Sequence, residues 1–119
     1  MTTATDILDT IRTATEGRDA ETLIGLYADD AEVTIVDRST PPSRPHRLHG
    51  RDEIAAFLRE GCAREMTHRI VDRVSGDAGI AFTTACRYPD GTRVLCATIA
   101  ELDGAGRVAR QTIVQAWDE

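Results

Sequence analysis

The sequence is 119 residues long, a length typical of one domain with a single hydrophobic core, so we predict one domain over residues 1–119. Hydrophobic residues make up 41% and charged residues 29%, a balance that excludes collagen-like and disordered classes. Twenty acidic and 14 basic residues give a net charge of −6, with the basic residues scattered singly, so neither nucleic acid nor an anionic membrane surface is an expected partner.

The chain begins with two predicted amphipathic helices. Thr3 and Asp6 have the spacing of a capping box, and apolar residues follow at helical intervals as far as Glu16, before Gly17. The second helix is predicted to run from a cap at Asp19 to Asp29-Asp30, because its apolar stripe continues that far.

A strand is predicted next, since from Ala31 the polarity alternates with a period of two and places Asp37 on the side of Val33 and Ile35. The segment from Ser39 to His49 contains three prolines and is predicted to be an ordered loop, of a length that is often functional. A third helix is predicted after Gly50, with acidic residues in its first turn; its buried positions are Ile54, Phe57, Leu58 and Cys62.

Three turn sequences divide the remainder into four antiparallel strands: Ser75-Gly76-Asp77, Pro89-Asp90-Gly91 and Asp103-Gly104-Ala105-Gly106. The middle turn predicts a hairpin that pairs Tyr88 with Thr92. That register places one set of residues on a shared, mainly apolar face: Ile80, Phe82, Thr84, Cys86, Val94, Cys96, Thr98 and Ala100. The predicted class is therefore α+β, with three helices covering one face of a curved, mainly antiparallel sheet.

Alternation also orients the two outer strands of this meander. His68 shares the apolar side with Met66 and Ile70, whereas the opposite side holds Thr67, Arg69 and Arg73. In the last strand polarity alone does not decide the inward face, which is either Gln111, Ile113, Gln115 and Trp117 or Arg110, Thr112 and Val114.

The order of these elements and three segments, Leu26–Val33, His49–Ile54 and Asp103–Val108, resemble the SnoaL-like branch of the nuclear transport factor 2-like superfamily. The resemblance covers nearly the whole chain and implies a conical α+β barrel. Its motifs mark helix ends and turns, so they imply a fold rather than an activity.

That superfamily includes ketosteroid isomerases, limonene epoxide hydrolase, polyketide cyclases and non-catalytic proteins, with the enzymes' pockets between the concave sheet face and the helices. Alignment with ketosteroid isomerase puts Ile35 at the general base, and Ile11 and Thr98 at the oxyanion-binding residues. The resemblance therefore does not imply that activity. It does imply that Thr98, Gln111 and Gln115 face a pocket.

Asp37 and His68 are the candidate catalytic residues. A partly buried carboxylate has a raised pKa and suits a general base, but Asp37 could instead accept backbone N–H bonds in the following loop or pair with an arginine. His68, with a reference pKa near 6.5, could act as acid or base, or be a core histidine bonded to a carbonyl or tyrosine. We expect both to open into one cavity near the proline-rich loop.

The other predicted pocket-lining residues are Thr84, Thr98, Gln111, Gln115, Trp117, Tyr27 and Phe57. The threonines also fit ordinary strand packing, which is the favoured interpretation, and the aromatic residues are first of all core residues, although Trp117 could form a pocket rim. The glutamines could lie on the outer face. The three cysteines are 24 and 10 residues apart without a CxxC, so we predict free thiols that act as small hydrophobic residues. No metal-ligand spacing or nucleotide-binding motif is present in the sequence, so no cofactor is predicted.

The leading functional hypothesis is an acid/base enzyme acting on a small apolar metabolite by isomerisation, cyclisation, dehydration or epoxide opening. The alternative is a non-catalytic ligand-binding or dimerising module. The resemblance also implies a homodimer formed through the sheet face away from the helices: Thr83, Ala85, Leu95, Ala97, Ile99, Thr112 and Val114. The sequence has neither a signal-peptide pattern nor a run of about 18 apolar residues, so a cytoplasmic location is expected.

Overall fold

The computed structural model describes residues 4–118, so the predicted capping residue Thr3 lies outside the described residues. Three helices and six strands follow in the order α1 (Ala4–Glu16), α2 (Ala20–Ile24), β1 (Tyr27–Val36), β2 (His46–His49), α3 (Arg51–Ala63), β3 (Thr67–Ser75), β4 (Gly79–Arg87), β5 (Arg93–Leu102) and β6 (Val108–Trp117).

The strands form one sheet in the order β2-β1-β6-β5-β4-β3. Neighbours are antiparallel except β1 and β6, which pair in parallel. The predicted α+β class and curved, mainly antiparallel sheet are confirmed. The sheet is not closed into a barrel, since β2 and β3 lie at its two edges.

The hydrophobic core lies between the helices and the concave face of the sheet. Helix α1 contributes Ile7, Leu8, Ile11 and Ala14, which are all buried. They pack with Val33 and Ile35 of β1 and with Ile54 of α3. Each large aliphatic side chain buried in this way contributes about 1.5–3 kcal/mol to folding.

The second helix is shorter than predicted. It ends at Ile24, and of the apolar residues that continue its stripe, Leu26 precedes strand β1 and Tyr27 begins it. The Val108 N–H donates to the Leu26 carbonyl at 2.9 Å, and Tyr27 pairs with Val108. Pairing with a strand that lies far away in the sequence therefore prevails over the local helical pattern.

The predicted loop from Ser39 to His49 is wrong at its end, because His46–His49 form β2 and pair antiparallel with β1. All three prolines precede this strand, where they remove no ladder hydrogen bond. The following Gly50 has a φ of 87° and donates to the Ala31 carbonyl at 2.9 Å, which fixes the start of α3 against β1.

A register shift in β3 overturns the predicted position of Arg73. Ile70 pairs with Thr84, but Asp72 pairs with Thr83, so one residue of β3 is left over between them. Beyond this β-bulge the two faces of the strand exchange roles. Arg73 therefore lies opposite the inward Phe82, and its guanidinium pairs with Asp9 of α1 at 2.7 Å.

The predicted hairpin between β4 and β5 is confirmed, because the Tyr88 N–H donates to the Thr92 carbonyl at 2.9 Å.

Burial defines the inward face of β6. Gln111 is only 6% exposed, whereas Val114 on the opposite face is 47% exposed. The inward face of β6 is therefore the one that holds Gln111, Ile113, Gln115 and Trp117.

Substitution of Gly91 by valine should destabilise the domain. Gly91 has a φ of 92°, which a β-branched residue adopts only with strain, so we expect a loss of at least about 1 kcal/mol in the free energy of unfolding. Chemical denaturation measures this loss. Gly104→Val is the matched control, because Gly104 is also a turn glycine with open space around it but lacks a positive φ. Equal stability of the two variants would contradict the turn assignment.

A buried hydrogen bond between Tyr27 and Gln111 should show energetic coupling. The Tyr27 hydroxyl donates to Gln111 Oε1, and both residues are buried. Tyr27→Phe and Gln111→Leu should each cost about 1–3 kcal/mol by leaving a buried polar group unpaired, and the double variant should cost clearly less than their sum. A double-mutant cycle of unfolding free energies measures the coupling. Additive losses would mean that the two groups do not depend on each other.

Candidate functional site

The main cavity lies between the concave sheet face and the helices and has a volume of about 710 Å³. Apolar walls come from residues such as Ile11, Leu26 and Phe82, while β3 to β6 add polar side chains. A cavity of this size fits a small organic ligand rather than a macromolecule.

All the predicted site residues line this cavity: Tyr27, Asp37, Phe57, His68, Thr84, Thr98, Gln111, Gln115 and Trp117. Strand alternation brings them together, since the inward residues of β4, β5 and β6 share one face. The lining alone does not assign a chemical role to any of them.

Asp37 follows the end of β1, and its carboxylate organises the turn after it. Its Oδ1 accepts hydrogen bonds from the Ser39 N–H at 2.8 Å, the Thr40 N–H at 2.8 Å and the Thr40 hydroxyl at 2.9 Å. Partial burial raises the pKa of Asp37, but these hydrogen bonds outweigh it and hold the pKa below its usual value. Asp37 is consequently a weak base. Its contacts are those of the alternative interpretation, in which the carboxylate accepts backbone N–H bonds from the following loop.

His68 contacts a cysteine rather than a carbonyl or tyrosine. His68 and Cys86 are direct cross-strand partners, and His68 Nδ1 lies 3.2 Å from Cys86 Sγ. Both residues line the cavity, where His68 is half-buried and Cys86 buried. The imidazole and the thiol therefore form one polar unit in the cavity wall.

The cysteines are the residues that the sequence reasoning missed. Cys62, Cys86 and Cys96 all line the cavity, and all are free thiols as predicted. A hydrogen bond from Cys96 and the neighbouring His68 lower the pKa of Cys86 despite its burial. The pKa of Cys96 is raised by its hydrogen bond to Cys86 and by burial, and burial raises that of Cys62. Cys86 is thus distinguished from the other two by its contacts.

Tyr27 and Gln111 satisfy each other in the deeper part of the cavity. Burial raises the pKa of the Tyr27 phenol, so the hydroxyl stays protonated and donates to Gln111 Oε1. Gln115 differs, because its Oε1 accepts a hydrogen bond from the Trp117 indole at 3.2 Å and its amide NH₂ can donate to a ligand.

Aromatic and charged residues gather at the cavity mouth. Trp117 stacks on Tyr88 with ring centroids 5.8 Å apart, and the Arg38 guanidinium lies 4.1 Å from the Trp117 ring centroid. Arg64 donates to the Tyr88 hydroxyl at 3.0 Å and pairs with Glu60. These contacts position Trp117 as part of the rim.

Residues 4–118 contain no group of three or more histidine, cysteine or acidic side chains arranged to hold a metal ion. Over the same residues, no helix has both the length and the apolar character needed to cross a membrane.

Many solved structures share the fold, and three of them illustrate the similarity. A proposed ketosteroid isomerase from Kribbella flavida DSM 17836 has a TM-score of 0.76 and 19% identity, covering 95% of this chain and 76% of that chain. An NTF2-like protein of unknown function from Mesorhizobium loti has a TM-score of 0.81 and 12% identity, covering 95% and 90%. A cystatin-like protein from Silicibacter pomeroyi DSS-3 has a TM-score of 0.74 and 15% identity, covering 92% and 72%.

These identities are low enough that the likeness concerns the fold alone. No curated protein matches the chain. The family model for the SnoaL-like domain matches residues 8–111, which is most of the sequence. This chain therefore belongs to the SnoaL-like domain family.

Proposed function

We propose that this protein binds a small, largely apolar metabolite in its main cavity and performs acid/base chemistry on it without a cofactor. The observation that supports this proposal is the 710 Å³ cavity, in which an imidazole and several hydrogen-bonding side chains interrupt mainly apolar walls. Apolar walls bind the body of a ligand, and a few polar groups orient it.

His68 is the proposed proton carrier. Its ring is part of the cavity wall and only half-buried, and imidazole is the side chain that enzymes use most often to transfer a proton. The Thr98 hydroxyl and the Gln115 amide line the same cavity and can hold the polar end of a ligand. Together they provide one group that moves a proton and two that fix the reacting atoms.

Asp37 is proposed to act at the mouth of the cavity. The hydrogen bonds from Ser39 and Thr40 all end on Oδ1, so Oδ2 is the oxygen that can accept a bond from a ligand. Because those bonds lower the pKa of Asp37, removal of a proton from carbon is a harder task for it than holding a hydroxyl or a positive charge.

One structural comparison favours isomerisation as the reaction type, because the Kribbella flavida protein is described as a proposed ketosteroid isomerase. By the resemblance, Ile35, Ile11 and Thr98 stand where the catalytic residues of ketosteroid isomerases are expected, so we do not propose the usual mechanism of those enzymes. Any isomerisation here would have to use other groups in the cavity.

A non-catalytic ligand-binding module is the second candidate. It is favoured by the contacts of Asp37, which satisfy its carboxylate within the turn and weaken the predicted acid and base pair. In this case the cavity would hold its ligand unchanged.

The first experiment identifies the ligand and then tests His68. Native mass spectrometry of protein from its host should reveal a co-purifying small molecule, and turnover of that molecule should fall about 10²-fold or more in His68→Gln. His49→Gln is the matched control, because His49 is exposed and paired with Glu32 at 3.2 Å. A bound molecule that is never converted, or equal turnover in both variants, would favour the binding module.

Asp37→Asn separates the two roles of the carboxylate. If Asp37 is the general base, as the sequence predicted, this variant should lose turnover as severely as His68→Gln. If it only orients ligand and loop, the loss should be about tenfold or less, because asparagine keeps an oxygen that accepts the turn hydrogen bonds. Steady-state kinetics at one pH distinguish these outcomes.

We further propose a homodimer that forms through the convex face of the sheet. Leu95, Ile99 and Val114 are 50%, 66% and 47% exposed there, although such side chains are usually buried. A self-complementary apolar face is a common basis for two-fold dimers.

Light scattering at micromolar concentration should report twice the chain mass of 13.0 kDa. Ile99→Asp should shift the protein to a monomer, because it places a charge in the proposed interface. Ala105→Asp, in the exposed turn before β6, should leave the mass unchanged. A wild-type protein that is monomeric at this concentration would refute the dimer.

A further inference from the structure

Three side chains with complementary chemistry meet on the cavity wall formed by β3, β4 and β5. Cys86 faces His68 across β3 and β4, and Cys96 lines the same cavity from β5, where it pairs with Thr84. The 3.2 Å separation of His68 Nδ1 and Cys86 Sγ is short enough for the imidazole to take the thiol proton. This arrangement of nucleophile and base is absent from the acid/base scheme proposed above.

The position of Cys86 favours a small-molecule target. The residue is 6% exposed, yet it lines the cavity, so a ligand inside the cavity reaches it more readily than a protein or bulky oxidant would. Cys62 lines the same cavity but has no histidine at its sulfur among its described contacts. Of the three thiols that line the cavity, Cys62 and Cys86 therefore differ both in burial and in their neighbours.

The electrostatics agree with the geometry. The hydrogen bond from Cys96 is the largest effect that lowers the pKa of Cys86, and His68 adds to it, while burial acts in the opposite direction. The pKa values of Cys96 and Cys62 are raised instead. Among the three thiols, Cys86 is the one that these contacts favour as a thiolate near neutral pH.

We propose that Cys86 is a nucleophile that adds reversibly to α,β-unsaturated carbonyl compounds bound in the cavity, with His68 as its proton acceptor and donor. The proposal rests on the proposed function in one respect, since it requires that the cavity binds an apolar ligand. It goes further in naming the class of ligand and the atom that reacts with it.

The addition needs no external oxidant, reductant or third reactant. His68 Nδ1 takes the thiol proton while Cys86 Sγ forms a bond to the β-carbon of the ligand. The electron pair of the C=C bond moves toward the α-carbon and the carbonyl oxygen, where the Gln115 NH₂ or a threonine hydroxyl can stabilise the charge. The imidazolium then gives its proton to the α-carbon. The product is a thioether that contains every atom of thiol and ligand, and the reverse steps release both.

A conjugated carbonyl suits this wall for two reasons. Thiolate is a polarisable nucleophile that attacks an activated C=C bond without a leaving group. The remainder of the cavity is mainly apolar and can hold the hydrocarbon part of such a ligand, while Thr84, Thr98 and Gln115 offer donors for its oxygen.

The test treats the full chain with trans-3-nonen-2-one at about pH 6, where an ordinary thiol with a pKa near 8.5 is largely protonated. Intact mass spectrometry should show one adduct, and peptide mapping should place it on Cys86. The reaction should be about tenfold faster than that of glutathione under the same conditions. Cys62, in the same molecule and cavity, is the internal control and should remain mostly unmodified.

Two variants test the assignment further. Cys86→Ser should abolish the adduct, and His68→Gln should slow its formation about tenfold while the melting temperature reports whether each variant is folded. Two results on the wild-type protein would overturn the proposal: modification of Cys62 in preference to Cys86, or an adduct-formation rate no higher than that of glutathione. Neither result depends on whether a variant folds.

The saturated ketone 2-nonanone separates this proposal from the proposed function. If 2-nonanone binds, as detected by ligand-observed NMR, and slows formation of the Cys86 adduct, both proposals are supported. If it binds but the enone does not react faster than with glutathione, the cavity is a ligand site and Cys86 is not its nucleophile. If the enone modifies Cys86 rapidly but 2-nonanone neither binds nor competes, the thiol is reactive without a ligand site. That result would overturn the proposal, because the proposal requires such a site.

Discussion

The parallel pairing of β1 with β6 is the constraint on which the rest of the site depends. Residues Glu32 to Val36 align with Arg110 to Val114, which attaches the helical half of the chain to the four-stranded meander. Because parallel strands run in the same direction, the residues that follow β1 come to lie near the last residues of β6. Arg38 consequently stacks on Trp117, and the turn held by Asp37 forms part of the cavity mouth.

A second constraint is the bulge in β3, which determines what His68 contacts. Near the turn Ser75 pairs with Ile80, and the same register without a bulge would place His68 opposite Arg87, an outward residue. The extra residue shifts the pairing so that His68 faces Cys86 instead. One irregularity thus allows His68, before the bulge, to lie beside a thiol, while Arg73, after the bulge, is on the helix side and meets Asp9. Bulges near ligand sites commonly redirect side chains in this way.

The parts of the fold that the sequence predicted are those set by local periodicity and turn chemistry. The Tyr88 to Thr92 hairpin follows from its turn residues, and alternation from that hairpin correctly orients β4 and β5. The end of α2 depends on the pairing of Tyr27 with distant Val108, and β2 depends on its pairing with β1, so neither follows from the local pattern of its own segment. The contact of His68 with Cys86 depends on the bulge, which the sequence pattern does not reveal. The prediction that the cysteines act only as small hydrophobic residues was therefore incomplete.

The polar groups of the cavity differ in how far the protein itself satisfies them, and this difference separates structure from chemistry. Tyr27 and Gln111 are buried and bonded to each other, so their hydrogen-bonding capacity is largely used in stabilising β1 against β6. The carboxylate of Asp37 is similarly engaged by the turn it organises.

His68 and Cys86 instead line the cavity with Nδ1 and Sγ 3.2 Å apart, and the Gln115 amide keeps donors for a ligand. A buried polar group whose partners are incomplete lowers stability, and a ligand that completes them recovers that free energy on binding. Under the proposed function, the wall formed by β3 to β6 would therefore supply both binding energy and reactivity, while the Tyr27 side of the same cavity would support it structurally.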